Sequence, residues 1–255
     1  MLTQVGLAKK DLNAMKTPAN LSGEKTMGTI LDLDLPAMKD YCKANKCTIN
    51  DYCSSILSVS LYEYFEQEEL KANQKGLTAY SIPKYIHMAV PFSLRQPFKR
   101  LRDVKLNNDF GSILIDLQPF KEFDDALPEI RKLYDKLKGS LMPFGVVMTT
   151  KISMAFPYLI PKLLMSDLTD KFSIVYSNLN ASKSPYFFNE KQCIGHYFAA
   201  PGNGKLSTGV SLCTIANRMS LGVFSDKVHM ADPQAFANIF ARKNKEILSN
   251  YKKNM

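Results

Sequence analysis

A mixed β-sheet flanked by helices, in an α/β domain, is the fold class that this chain predicts. Three observations predict it. The stretch 46–65, KCTINDYCSSILSVSLYEYF, places Ile49, Tyr52, Cys53, Ile56, Leu57, Leu61, Tyr64 and Phe65 at helical spacing on a wide apolar stripe, as a central buried helix requires. Before and after it, strand-like and helix-like runs alternate. Towards the C-terminus, short β-branched runs follow one another with turn residues between them, which reads as an antiparallel meander.

The elements follow in order. Residues 1–25 are polar, with Pro18, Gly23 and scattered lysines, and read as a loop or tail; the domain proper is expected over 26–250. MGTILDL at 27–33 alternates as a strand does. Asp34 then Pro36 opens a short helix through Ala44. Thr48 caps the long helix, and Asp51, three residues on, can bond back to the Thr48 amide, a capping box with Asp in the place of Glu. The polar run 66–84, with Gly76 and Pro83, reads as a loop.

IHMAVPFSL at 86–94 is a compact strand, and Pro91 within it argues for an edge or a bulge. A turn at 106–109 leads to a strand at 110–117, and Ala126, Ile130, Leu133 and Leu137 mark an amphipathic helix that Gly139 stops. The most apolar region, 141–168, is broken by Pro143, Pro157 and Pro161 and is expected to pack as helical pieces on the core; a segment on a membrane or along an acyl tunnel is the functional alternative. Strands are predicted over 172–177, 192–199, 206–215 and 219–224, with Ala216-Asn217-Arg218 as a hairpin hinge. Asp232 and Pro233 open a last helix whose buried face is Phe236, Ile239, Phe240 and Ile247.

The chain has 255 residues, of which 45% are hydrophobic and 22% charged, within the range of a folded globular protein of one large domain or two small ones. Its net charge of +9 is spread along the chain, densest at 95–105. No nucleic-acid motif accompanies that charge, so a solvated basic face is the expectation and nucleic-acid binding is set aside. The five cysteines show neither CxxC nor a zinc spacing and read as small buried hydrophobes in a reducing compartment. There is no apolar signal region at the start and no run of about eighteen apolar residues. The three histidines, His87, His196 and His229, are isolated from one another and from any metal-ligand or nucleophile motif, so no metal and no catalytic residue is assigned.

Taken in order, Thr48-Ile49-Asn50-Asp51, Val90 to Arg95 (VPFSLR), Asn107-Asn108, Tyr176-Ser177-Asn178 and Leu221 to Val228 (LGVFSDKV) resemble the C-terminal half of the wax ester synthase/diacylglycerol acyltransferase family. The resemblance covers roughly residues 25–250. It implies one lobe of a two-lobed fold like chloramphenicol acetyltransferase and the condensation domains, with a tunnel between two similar halves. In that family the other half carries His-His-x-x-x-Asp-Gly, whose second histidine takes the proton of an alcohol as its oxygen attacks an acyl-CoA thioester. No His-His pair occurs here, so the resemblance implies that the catalytic half is absent from this chain. Two turns also depart from the family: Asn107 stands for a glycine, and SNLNAS at 177–182 for S-N-x-x-G-P.

The resemblance suggests roles for several residues, each with a plainer reading beside it. Asn50 and Asp51 shape the tunnel mouth or the contact between halves, or simply cap a helix. Arg95 anchors a CoA phosphate or braces a carboxylate, or is a structural strand-end arginine. Asn108 and Asn178 satisfy backbone groups along the tunnel, or form turns. Tyr176 and Ser177 are candidates to face the tunnel, and Asp226 pairs with a base or caps a turn. The expected substrates are acyl-CoA and a lipid alcohol, with no cofactor besides. Expected partners are a second lobe or another copy, and a membrane surface. The expected location is the cytoplasm, with peripheral attachment at the endoplasmic reticulum or lipid droplets. The alternative is a non-catalytic half-domain that binds acyl chains or a partner. Half of a two-lobed enzyme is further expected to leave an apolar face bare, formed by the sheet and 141–168.

Overall fold

The computed structural model describes residues 9–95, 100–104, 110–140, 145, 148, 152, 155–199 and 205–253. In chain order its elements are β1 (Lys25–Ile30), α1 (Leu35–Ala44), α2 (Ile49–Gln74), β2 (Ile86–Ser93), β3 (Phe110–Leu117), α3 (Phe123–Lys138), α4 (Leu159–Lys171), β4 (Ile174–Ser182), the short strands β5 (Phe187–Phe188) and β6 (Lys191–Gln192), β7 (Thr208–Ile215), β8 (Arg218–Asp226) and α5 (Pro233–Lys253). Six strands form one mixed sheet in the order β1-β8-β7-β4-β2-β3. The inner pairs β7/β4 and β4/β2 are parallel, and the outer pairs are antiparallel. The fold is therefore the mixed sheet flanked by helices that the sequence predicts.

The long helix α2 organises the packing. Its capping box forms as read: Thr48 Oγ1 accepts from the Asp51 amide at 3.1 Å, and Asp51 Oδ2 accepts from the Thr48 amide at 2.9 Å. Tyr52, Cys53, Ile56, Leu57, Leu61 and Phe65 are buried in the main core, together with Phe236 and Phe240 of α5. The Tyr52 hydroxyl donates to Asn244 Oδ1 at 3.0 Å, and the Asn244 amide donates to the Leu33 carbonyl at 2.9 Å. One amide thus ties α2 and α5 to the loop before α1. The helix also runs nine residues past Phe65, where a loop was expected. Glu66 to Gln74 has no apolar period, but its Glu, Gln, Leu, Lys and Ala residues are strong helix formers, and the helix ends just before Gly76, which takes a positive φ of 65°.

Pro91 sits in an inner strand and still costs no ladder bond on its β4 side. The β2/β4 ladder comprises only Met88 and Ala89 against Ile174 and Val175. Beyond Ala89 the strands part: β2 continues against β3 alone, and β4 continues beside β7 to Ser182. The sheet therefore opens between these strands towards their C-terminal ends.

Two other expectations change. Of the strand predicted over 192–199, only Gln192 is in a ladder, paired with Phe187. The rest crosses the sheet face: Ser211 Oγ donates to the Phe198 carbonyl, Arg218 donates to the Ile194 carbonyl at 3.3 Å, and Gly195 lies over Leu31 and Ser220. Its alternation reports a covering layer with one side on the sheet and one in solvent. The described apolar residues of 141–168 are exposed instead of packed on the core, with Tyr158 at 77% and Leu159 at 62%. Pro157 precedes α4, but Pro161, expected to break the segment, lies in the first turn of α4, where its missing amide costs no intrahelical bond.

The segment 9–24 has no helix or longer strand, yet it is anchored. Met15 is fully buried, and Lys16 donates to the carbonyls of Thr169 and Lys205 at 3.2 and 2.7 Å. All five cysteines are free thiols. Among the described residues no helix is long and apolar enough to cross a membrane, and no three potential ligands cluster to hold a metal.

Candidate functional site

The N-terminus of α2 and the C-terminal ends of β4 and β7 meet at an open cleft of about 670 Å³. Asn50 and Asn178, from sequence blocks far apart, both line it. Asn180, Asn217, Lys39 and Lys183 complete its polar wall, with Thr48 and Thr214. Parallel pairing explains the meeting. Asn178 stands opposite Leu212 and Asn180 opposite Thr214, so β4 and β7 carry their polar ends to the same edge, and the β7–β8 turn adds Asn217. That turn is the hinge the sequence predicts, with Ala216 at a φ of 52°. Four amides, two hydroxyls and two ammonium groups give the cleft donors for a polar or anionic ligand.

The other sequence-predicted residues divide. Asp51 is buried beneath the cleft, one oxygen engaged in the cap and Oδ1 without a protein partner. Ser177 is half-buried beside Asn178, while Tyr176 is fully buried in the core with an unpartnered hydroxyl. Burial pushes the Tyr176 phenol well above its usual range, so it stays a neutral hydroxyl. Below Asn50, the Tyr134 hydroxyl lies 2.9 Å from Ser54 Oγ; burial raises its pKa, against hydrogen bonds from Ser54 and Asn50. Arg95 is exposed just past β2, its amide donating to Ser93 Oγ at 3.2 Å. Asn107 and Asn108 lie outside the described residues.

Asp226 belongs to the opposite end of the sheet. It is fully buried and accepts from the Ser22 amide at 3.0 Å, Ser22 Oγ at 2.8 Å, the Gly23 amide at 2.9 Å and the Val228 amide at 3.1 Å, with Lys25 Nζ at 3.3 Å. Burial alone would raise its pKa, but these donors outweigh burial and hold it far below the usual carboxylate range. It both pairs with a base and caps a turn, and it fastens the N-terminal segment rather than lining the cleft.

None of the three histidines lines the cleft. His87 Nδ1 donates to Asp11 Oδ1 at 2.6 Å, while Asp11 Oδ2 accepts from the His87 amide and from Ser173 Oγ. The bond to Asp11 raises the His87 pKa. His229 is buried on Ser207, and burial lowers its pKa. His196 is exposed. Sequence reasoning missed Lys39 and Lys183, which no motif marks, and the Asp11–His87 pair, whose members are far apart in the chain.

The model of the WS/DGAT C-terminal domain matches residues 106–247, more than half of the chain. The chain belongs to the wax ester synthase/diacylglycerol acyltransferase family. No curated protein sequence matches the chain. Among solved structures it is similar to the wax ester synthase/diacylglycerol acyltransferase from Marinobacter aquaeolei VT8, with a TM-score of 0.68 and 16% identity over 98% of this chain and 54% of that one. It is also similar to the first condensation domain of the calcium-dependent antibiotic synthetase, at TM-score 0.54 and 8% identity over 97% and 50% of the two chains. The epimerization domain of tyrocidine synthetase B matches at TM-score 0.53 and 12% identity, over 98% and 55%. At these identities the likeness is one of fold. The chain spans about half the length of these structures, and its sheet corresponds to one lobe of the family's fold.

Proposed function

We propose that this chain forms one wall of an acyl-CoA-dependent O-acyltransferase that makes wax esters or triacylglycerol, and that the general base comes from a His-His-x-x-x-Asp-Gly lobe. The observation that carries the reading is the meeting of Asn50 and Asn178, two residues of the family-like pattern, in one polar cleft at the open end of the sheet. Family membership supports the reaction class. Lys39 and Lys183 fit an acyl donor that bears phosphates, and the amides fit the polar parts of donor and acceptor.

In this reading the chain positions and the other lobe reacts. The histidine of that lobe removes the alcohol proton, the oxygen attacks the thioester carbonyl, and coenzyme A leaves as its thiol. The test is ester formation from palmitoyl-CoA and 1-hexadecanol, or dioleoylglycerol, by the chain joined to a histidine-bearing lobe. Asn178→Ala and Asn50→Ala are expected to lower kcat/KM by roughly tenfold each, the loss of about one good hydrogen bond to the bound state. Unchanged kinetics in both variants would remove the cleft from the reaction.

A second reading, a non-catalytic half-domain that binds acyl chains or a partner, is favoured by one observation: His87, His196 and His229 are the only histidines, and none reaches the cleft.

A further inference from the structure

A second cavity, of about 340 Å³, lies among the helices and shares no residue with the cleft. Tyr41 of α1, Phe123 at the start of α3 and Tyr251 of α5 line it. Tyr41 is buried, and the half-buried rings of Phe123 and Tyr251 stand at 78° and 69° to it, with centroids 6.0 and 5.1 Å away. Tyr52, fully buried and tied to Asn244, packs against Tyr41 and Phe123 at 5.0 and 5.5 Å. The core therefore fixes these rings before any ligand arrives, which lowers the cost of binding one. Aromatic rings set at steep angles round a hollow attract a cation through their faces. A quaternary ammonium suits them best, since it has no N–H to satisfy and keeps its charge at any pH.

The charges round the cavity narrow the ligand further. Glu246 and Lys243 line it but are already engaged, with Arg242 at 2.7 Å and Glu63 at 3.2 Å. Lys121, Glu122 and Asp124 line it too, and among the described residues their side chains have no hydrogen-bond or ion-pair partner. Glu122 precedes α3 without capping it. Burial, and after it the Asp124 carboxylate, push the Tyr41 phenol up to about 12, so Asp124 acts on that ring and the ring stays neutral. The cavity thus offers aromatic faces and two free carboxylates to a cation, and one free ammonium to an anion. Its volume, at the lower end of the ~300–1,000 Å³ of small-ligand pockets, suits a compact zwitterion. We propose that it binds a phosphocholine group, with the trimethylammonium among Tyr41, Phe123 and Tyr251 beside Asp124 and Glu122, and the phosphate on Lys121. The proposal is independent of the acyl-transfer reading.

The experiment titrates the full chain with phosphocholine, choline and phosphoethanolamine by isothermal calorimetry at low salt. Phosphocholine is expected to bind saturably and at least roughly fivefold more tightly than phosphoethanolamine, which lacks the methyl groups. Tyr251→Leu, at a half-buried position and with an unchanged circular dichroism spectrum, is expected to abolish that preference. Lys121→Ala, at an exposed position, is expected to weaken phosphocholine roughly fivefold and leave choline unchanged. No saturable binding, equal binding of phosphoethanolamine, or a preference that survives Tyr251→Leu overturns the proposal. Tighter binding of a trimethyllysine peptide overturns it as well, since Lys121 would then serve no phosphate. Flotation with phosphatidylcholine vesicles, against phosphatidylglycerol vesicles, separates the two sources of the group. Flotation with the former that soluble phosphocholine competes away assigns a lipid head group, and binding of the soluble compound alone assigns a free metabolite; both uphold the site.

Discussion

Replacing Asp226 by alanine is expected to release the N-terminal segment from the sheet. Its carboxylate accepts four hydrogen bonds from Ser22, Gly23 and Val228 and pairs with Lys25, all while fully buried. Each bond to a charged group contributes about 1.5–3 kcal/mol net, but the four share one acceptor and water can refill the space, so they do not add. The expected loss is about 2–4 kcal/mol, the cost of leaving the Ser22, Gly23 and Val228 donors without an acceptor, while the half-exposed Lys25 returns to water. Urea unfolding measures it, and limited proteolysis should show cleavage near residues 20–24. The pKa held far below 3.8 gives a second signature. Stabilisation by Asp226 is complete above the ordinary aspartate value and drains away as pH falls below it, so Asp226→Ala should flatten that acid limb. A loss under about 1 kcal/mol with the acid limb intact would refute the reasoning, since it would mean the donors find equal partners in water.

Two smaller perturbations test other joints of the fold. Gly28→Ala would put a Cβ about 2.4–2.5 Å from backbone atoms of Pro233 and Gln234, so β1 or α5 must shift, and a loss of about 3 kcal/mol in unfolding experiments is expected; a neutral result would mean the helix start moves freely. His87, with its pKa raised by Asp11, stabilises the fold fully below its ordinary value of 6.5 and loses that contribution as pH rises through the higher folded value. Asp11→Asn should bring the His87 NMR titration back down, and an unchanged midpoint would contradict the pairing.

The elements with local chemistry were legible. Thr48 and Asp51 announced the start of α2 because a cap is made by residues three apart, and the 216–218 hinge was visible because a tight hairpin is equally local. Glu66 to Gln74 was misread because an exposed helix needs no apolar period, only propensity. The 193–199 run alternates for a reason other than pairing: it lies across the sheet. The apolar stretch 141–168 was expected to pack on the core because side chains that shun water are normally covered within one domain; its described part is exposed, as the separate expectation of a bare apolar face at 141–168 has it. In the site, the order of motifs pointed to Asn50 and Asn178, but Lys39, Asn180, Lys183 and Asn217 join them only through the parallel register of β4 and β7 and the packing of α1 and α2, which no local pattern records. Asp226 lay in the same family-like pattern and proved to serve the far end of the sheet.

The most direct test of the account is ester formation from palmitoyl-CoA and 1-hexadecanol, measured for this chain alone and for the same chain joined to a His-His-x-x-x-Asp-Gly lobe. The account predicts no turnover above the uncatalysed rate by the chain alone and steady turnover by the joined protein. Turnover by the chain alone would contradict it and would place the base on a histidine of this chain, His87 or His196; silence from a folded, joined protein would contradict it equally and favour the binding role.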